Sequence, residues 1–197
     1  MLVYNSRLIG TTILSVQAGG PIGRINTAIV NPDNLQIIAF ALEGPLVDRR
    51  QNLLDIRSIR EYSNYGIVID DADELVSPSD IVKIEQVLKL NFDLLSLKVE
   101  TKKGSKLGQI IDYTIDSDSF LVQQIVVKRP IVKRIMDPEL IISRKEIIEV
   151  TDYKIIVKDE EKVLKSRASK EDFIPNFVNP FRTQGQELSS VDVNDQE

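Results

Sequence analysis

Pro21-Ile22-Gly23-Arg24-Ile25 and Lys106-Leu107-Gly108-Gln109-Ile110 are two copies of one strand opening, 85 residues apart. The offset persists without a gap through Asp33 and Asp118, Leu35 and Phe120, Phe40 and Ile125, and Pro45 and Pro130. Further on it becomes 88, pairing Ile59 with Ile147 and Tyr65 with Tyr153. A register held this long marks an internal duplication, with each copy one supersecondary unit. Within each copy the chemistry is that of strands. Ala18-Gly19-Gly20-Pro21 and Asn31-Pro32-Asp33-Asn34 are turns, because glycine admits positive φ and proline cannot donate to a ladder. Between and beyond them lie short β-branched and apolar runs, Ile22–Val30 and Leu35–Leu42. In the second copy Asp116-Ser117-Asp118-Ser119 supplies the same turn with different residues, and Phe120–Val127 is the matching apolar strand.

A glycine at a strand start removes Cβ and permits a bulge, a tight bend or close backbone approach. Gly23 and Gly108 are therefore expected to be structural, at corners where a small sheet curls. No phosphate-loop spacing surrounds either one.

The duplication predicts an all-β chain of two small units, residues 1–76 and 91–165, joined through 77–90. Ser77-Pro78-Ser79-Asp80 reads as a helix start with Ser79 as cap, and Ile81, Ile84, Val87 and Leu88 then share a helical face, so a helix is expected over 79–90. Residues 166–197, rich in Ser, Asn, Gln, Asp and Glu, read as a flexible tail.

Several function classes lose their chemistry at the level of composition. The 197 residues contain no cysteine and no histidine. That removes thiolate nucleophiles, Ser-His-Asp triads and the common zinc ligand sets. Asp112, Asp116 and Asp118 lie close in sequence, but strand-end and turn roles account for them, and no catalytic residue, cofactor or small-molecule substrate is expected. The acidic run Asp70–Glu74 lacks the ligand spacing of a calcium loop and reads as a solvated linker. There is neither a membrane-length apolar run nor a secretory leader pattern, which points to a cytoplasmic protein.

Net charge is −5. The first unit holds 6 Lys/Arg against 9 Asp/Glu and the second 14 against 13, so neither carries the basic field of a dedicated nucleic-acid binder. Lys128, Arg129, Lys133 and Arg134, with Lys102, Lys103 and Lys106 as possible neighbours, form the candidate anionic-partner surface. A solvated loop is the plainer reading of that segment. In the tail, Phe173, Phe177 and Phe181 gather three of the six phenylalanines. They read as a segment folded back on the chain or as a docking motif.

The paired Ile22-Gly23-Arg24-Ile25 and Leu107-Gly108-Gln109-Ile110 openings resemble the PRC-barrel family. So do the apolar strand after each acidic turn and the segment Leu140–Ile148. The resemblance covers roughly residues 7–165. It implies two tandem small β-barrels, a fold shared with the photosynthetic reaction-centre H subunit and the C-terminal domain of the ribosome maturation factor RimM. It also implies a non-enzymatic docking module whose main partner is another protein. A ribosome- or RNA-associated factor and a membrane-associated or envelope adaptor are the alternatives, with ribosomal RNA or an anionic membrane surface as partner. The RNA-processing domain and the membrane anchor of those two relatives have no counterpart here, so their specific functions do not transfer.

Overall fold

The computed structural model describes residues 1–63, 65–130 and 138–159. Lys133, Arg134, Phe173, Phe177, Phe181 and the tail 166–197 lie outside the described residues.

The chain is mostly strand, arranged in two sheets. The first contains β2 (Thr12–Ser15), β3 (Gly20–Asn31), β4 (Gln36–Glu43), β5 (Leu53–Asp55), β6 (Glu61–Ser63) and β7 (Gly66–Ile69), in the order β5-β4-β3-β2-β7-β6. The second contains β8 (Lys98–Thr101), β9 (Lys106–Asp116), β10 (Val122–Lys128), β11 (Glu139–Ser143), β12 (Ile147–Val150) and β13 (Lys154–Val157), in the order β11-β10-β9-β8-β13-β12. Strand for strand these are one topology. Even the single parallel pairing recurs, Ile13 with Ile67 in the first sheet and Val99 with Ile155 in the second.

The glycines sit where main chain meets main chain. A Cβ built on Gly108, whose φ is +146°, would fall 2.0 Å from the Lys128 carbonyl oxygen. One on Gly23 would fall 2.7 Å from the equivalent Glu43 oxygen. No side chain fits at either distance, so β3 and β9 need glycine at their bends.

The sheets share one hydrophobic core. Ile13, Phe40, Leu54 and Ile67 from the first and Val99, Ile125, Leu140 and Ile155 from the second are all fully buried in a single cluster. Phe40 and Phe120 meet edge to face across it, with ring centroids 5.9 Å apart. At about 1.5–3 kcal/mol for each large apolar side chain removed from water, this cluster dominates stability.

The seam has internal symmetry. Ile37 N donates to Phe120 O and Val122 N donates to Leu35 O, both at 2.9 Å, flanking a bridge between Gln36 and Leu121. The 85-residue offset exchanges the two hydrogen bonds and maps the bridge onto itself, so a pseudo-twofold axis passes between Gln36 and Leu121. Leu35 (φ 50°) and Phe120 (φ 54°) both adopt left-handed backbone there, a conformation that costs bulky residues about 1–3 kcal/mol. The preceding turns hold them. Leu35 N donates to Asn31 O and Phe120 N to Asp116 O, each at 2.8 Å.

Two features depart from expectation. The linker helix α2 runs only Val82–Lys89. Ser79 does not cap it; Ser77 through Asp80 form a separate turn in which the Asp80 carboxylate accepts from Ser77 N at 2.6 Å. Helix α2 lies on the first sheet, where Ile84 and Val87 pack with Ile29, Ile38, Ala39 and Leu53. The N-terminus departs further. Strand β1 (Leu2–Tyr4) does not join the first sheet; it pairs antiparallel with β9 of the second, Leu2 with Asp116 and Tyr4 with Thr114. The short helix α1 (Asn5–Leu8) follows and carries the chain across to β2.

Candidate functional site

The crossing of β1 is held by charge and hydrogen bonding. The N-terminal ammonium lies 3.1 Å from an Asp116 carboxylate oxygen. Asp112 receives Ser6 Oγ at 2.6 Å and Ser6 N at 3.2 Å, which ties down the first turn of α1. The bonds from Ser119 and the terminal ammonium hold the Asp116 carboxyl below its usual range. Asp112 and Asp116, close in sequence, thus act as anchors for the first six residues. Asp118 is exposed and accepts from Ser117 Oγ.

This crossing builds a cleft of about 480 Å³ between β1 and the β6–β7 hairpin of the other sheet. Its walls include Leu2, Tyr4, Arg7, Thr12, Tyr62 and Tyr65. Three of the chain's five tyrosines therefore converge on one opening. Tyr65 is 89% exposed and Tyr4 40%. Tyr62 is half-buried; burial pushes its hydroxyl up, opposed in part by the Arg7 charge, so it remains a protonated donor at neutral pH. A Cβ on Gly66 would stand 2.5 Å from Thr12 O, which fixes the hairpin tightly against β2. Amphipathic rings with few rotatable bonds around a concave surface are what interface hot spots are made of.

A second groove, of about 700 Å³, lies at the seam. It is lined by Asn5 and Ile9 on one side, Asn91 and Leu95 on the other, and the Asn26–Val30 stretch of β3 along its floor. The Asn5 side-chain carbonyl is buried there with no hydrogen-bond partner. Burial, reinforced by Asp112 and Asp93, drives the Tyr113 hydroxyl far above its ordinary pKa. That group is an uncharged donor at any physiological pH.

The basic segment is only partly described. Lys128, the last residue of β10, is exposed, but Arg129 is 8% exposed and engaged with its surroundings. Its backbone N donates to Pro138 O at 3.1 Å. Lys102 and Lys103 on the β8–β9 turn and Lys106 at the start of β9 are exposed, with Lys103 3.0 Å from Asp159. In the acidic run, Asp71 turns inward on its own backbone and accepts from Asp73 N, while Asp70 pairs with Arg60. Among the described residues no cluster of three acidic groups could hold a metal ion, and no helix is long and apolar enough to cross a membrane.

Sequence reasoning missed the tyrosine cleft. Tyr62 and Tyr65 are neighbours on one hairpin, but Tyr4 joins them only because β1 pairs with the far sheet. No local signal in Leu2-Val3-Tyr4 selects between the edges of β3 and β9. No protein-family model matches the chain, and no curated protein matches it.

Proposed function

We propose that the chain is a non-enzymatic docking scaffold built from two PRC-type barrel units joined through α2, and that it binds a partner protein at the Tyr4–Tyr62–Tyr65 cleft. The observation that carries this reading is the convergence of three tyrosines, two of them well exposed, on a cleft walled by both sheets. Tyr65 stands almost wholly outside the fold and Tyr4 partly so, and aromatic anchors in a concave, partly desolvated site are the usual source of binding energy between proteins. Surface charge supports an anionic partner less well, since of the described pair Lys128 and Arg129 only Lys128 reaches solvent.

The test replaces both exposed rings. Full-length Tyr4→Ser/Tyr65→Ser should keep the wild-type melting temperature. Proteins co-purified by the wild type, quantified by mass spectrometry, should be depleted at least about tenfold with the variant, the scale of losing one hot spot. Equal recovery by the two proteins would refute the docking site.

A further inference from the structure

The two long strands β3 and β9 are equivalent along their length, yet their far ends are treated differently. On the side away from β10, β9 pairs with β8 at Lys98–Gln109 and Val99–Gly108. Ile110 N then donates to Leu97 O, and finally β1 covers Thr114–Asp116. On the corresponding side of β3, β2 pairs as far as Arg24 and the Thr11 and Gly10 backbones reach Ile25. From Asn26 onward the only strand partner of β3 among the described residues is β4.

The geometry of the occupied site defines what the open one offers. Ser117 N donates to Met1 O at 2.8 Å. The antiparallel alternation then makes Val3 and Ile115 a hydrogen-bonded pair, with both polar groups of Ile115 turned toward β1. Val30 stands at the Ile115 position, 85 residues earlier, and alternation turns its N–H and C=O the same way, into the seam groove. Val30 is 4% exposed, and no described residue bonds its backbone on that side. A buried main-chain pair left open in this way is uncommon, because a polar group taken from water needs a partner. The chain segment equivalent to β1, offset by 86, is Leu88-Lys89-Leu90. It cannot fill the slot as a strand because α2 holds Leu88 and Lys89 in a helix.

We propose that this β3 edge is a strand-addition slot, and that its occupant is the chain's own apolar segment Phe173–Phe181. The occupied slot shows the pattern required. Val3 is 5% exposed and enters the core, while Leu2 and Tyr4 on either side are 53% and 40% exposed. One apolar residue is inserted and its neighbours stay outside. Asn176-Phe177-Val178 offers a large apolar residue for a groove of about 700 Å³. Pro175 costs nothing in this register. The residue two before the inserted one supplies only a carbonyl in the occupied slot, as Met1 does. Thirteen residues separate Asp159 from Phe173, a tether that spans up to about 45 Å when extended. Such a tether places the segment at an effective concentration in the millimolar range, which favours its docking over that of a free segment.

The proposal stands apart from the tyrosine cleft and survives or fails without it. Amide exchange followed by NMR on the full-length chain tests it, with the Ile115 amide as internal control. In the wild type the Val30 amide should be protected. In full-length Phe173→Ser/Phe177→Ser/Phe181→Ser it should exchange at least about tenfold faster, while Ile115 is unchanged, since losing a local partner raises only local opening. In the cysteine-free background, a spin label on Asn179→Cys should broaden the Val30 amide independently of protein concentration. An unprotected Val30 in the wild type would overturn the proposal, as would equal protection in the triple variant. So would broadening that vanishes on dilution, which would assign the slot to a second copy.

Discussion

Sheet one and sheet two have the same strand order and the same glycine corner, yet they differ at the end of the long strand. The two ends also differ in the side chain that stands there. Asp116 can hold the terminal ammonium at 3.1 Å, whereas its counterpart Asn31 carries no charge and its side-chain oxygen accepts from Asp33 N. The second sheet is covered there by β1, whereas among the described residues β3 has no strand on that side. A duplicated fold conserves its core pairing by necessity, because every ladder and core position constrains the others. Its edges are free to diverge, and both candidate surfaces lie along that divergence.

The strongest way to break the comparison is at the shared core. Phe40 is fully buried and meets Phe120 edge to face across the seam. Phe40→Ala should cost about 3–5 kcal/mol in chemical denaturation, with both sheets losing protection together. Selective loss in the first sheet would mean that the seam does not couple them. The two corners come next. Gly108→Ala should cost about 3 kcal/mol and Gly23→Ala less, because only Gly108 combines positive φ with the 2.0 Å approach to a carbonyl. Equal melting temperatures for the two variants would remove that distinction. Asp112→Ala should cost about 1 kcal/mol by freeing Ser6, and it should raise amide exchange in residues 2–8 more than anywhere else.

The smallest expected effect concerns acid. Asp55 is buried, which pushes its carboxyl up, but the Arg57 side-chain and backbone hydrogen bonds and the Arg57 charge outweigh that and leave it below its usual value. A carboxyl lowered in the folded state adds stability above its unfolded pKa, near 4. That increment disappears as pH falls through the lower folded value. Ser143, its counterpart, makes no such cap. Acid should therefore remove this increment from the first sheet, as it removes that of Asp116, whose carboxyl is also lowered, from the second. Asp55→Asn should reduce the pH dependence of stability below pH 4 by less than about 1 kcal/mol, given how exposed Arg57 is. An identical pH profile would show that the pair contributes nothing.

Much of this comparison was legible in the sequence. The offset of 85, the glycine openings and the Asn31 and Asp116 turns all became equivalent features, since turn chemistry and strand periodicity are local and survive duplication. The helix start was misplaced by three residues because Asp80 satisfied a turn amide instead of a helical one. Arg129 looked like surface charge because composition does not show where a strand-end side chain is packed. The crossing of β1 was invisible for a deeper reason. Three apolar residues fit any open edge, and the strand that pairs with them, with the Asp112 and Asp116 carboxylates that meet this segment, lies more than a hundred residues away.

That crossing is the central claim, and the absence of native cysteine makes it directly testable. Leu2 with Asp116 and Tyr4 with Thr114 flank the hydrogen-bonded Val3–Ile115 pair, so Tyr4 and Thr114 form a non-hydrogen-bonded pair, where antiparallel Cα atoms lie about 4.5 Å apart, within disulfide reach. On mild oxidation, Tyr4→Cys/Thr114→Cys should form an intramolecular disulfide and gain up to about 4–5 kcal/mol from closing so long a loop. Tyr4→Cys/Ile29→Cys, aimed at the equivalent site on β3, should remain reduced. A disulfide to position 29, or none to position 114, would place β1 on the wrong sheet and contradict the account.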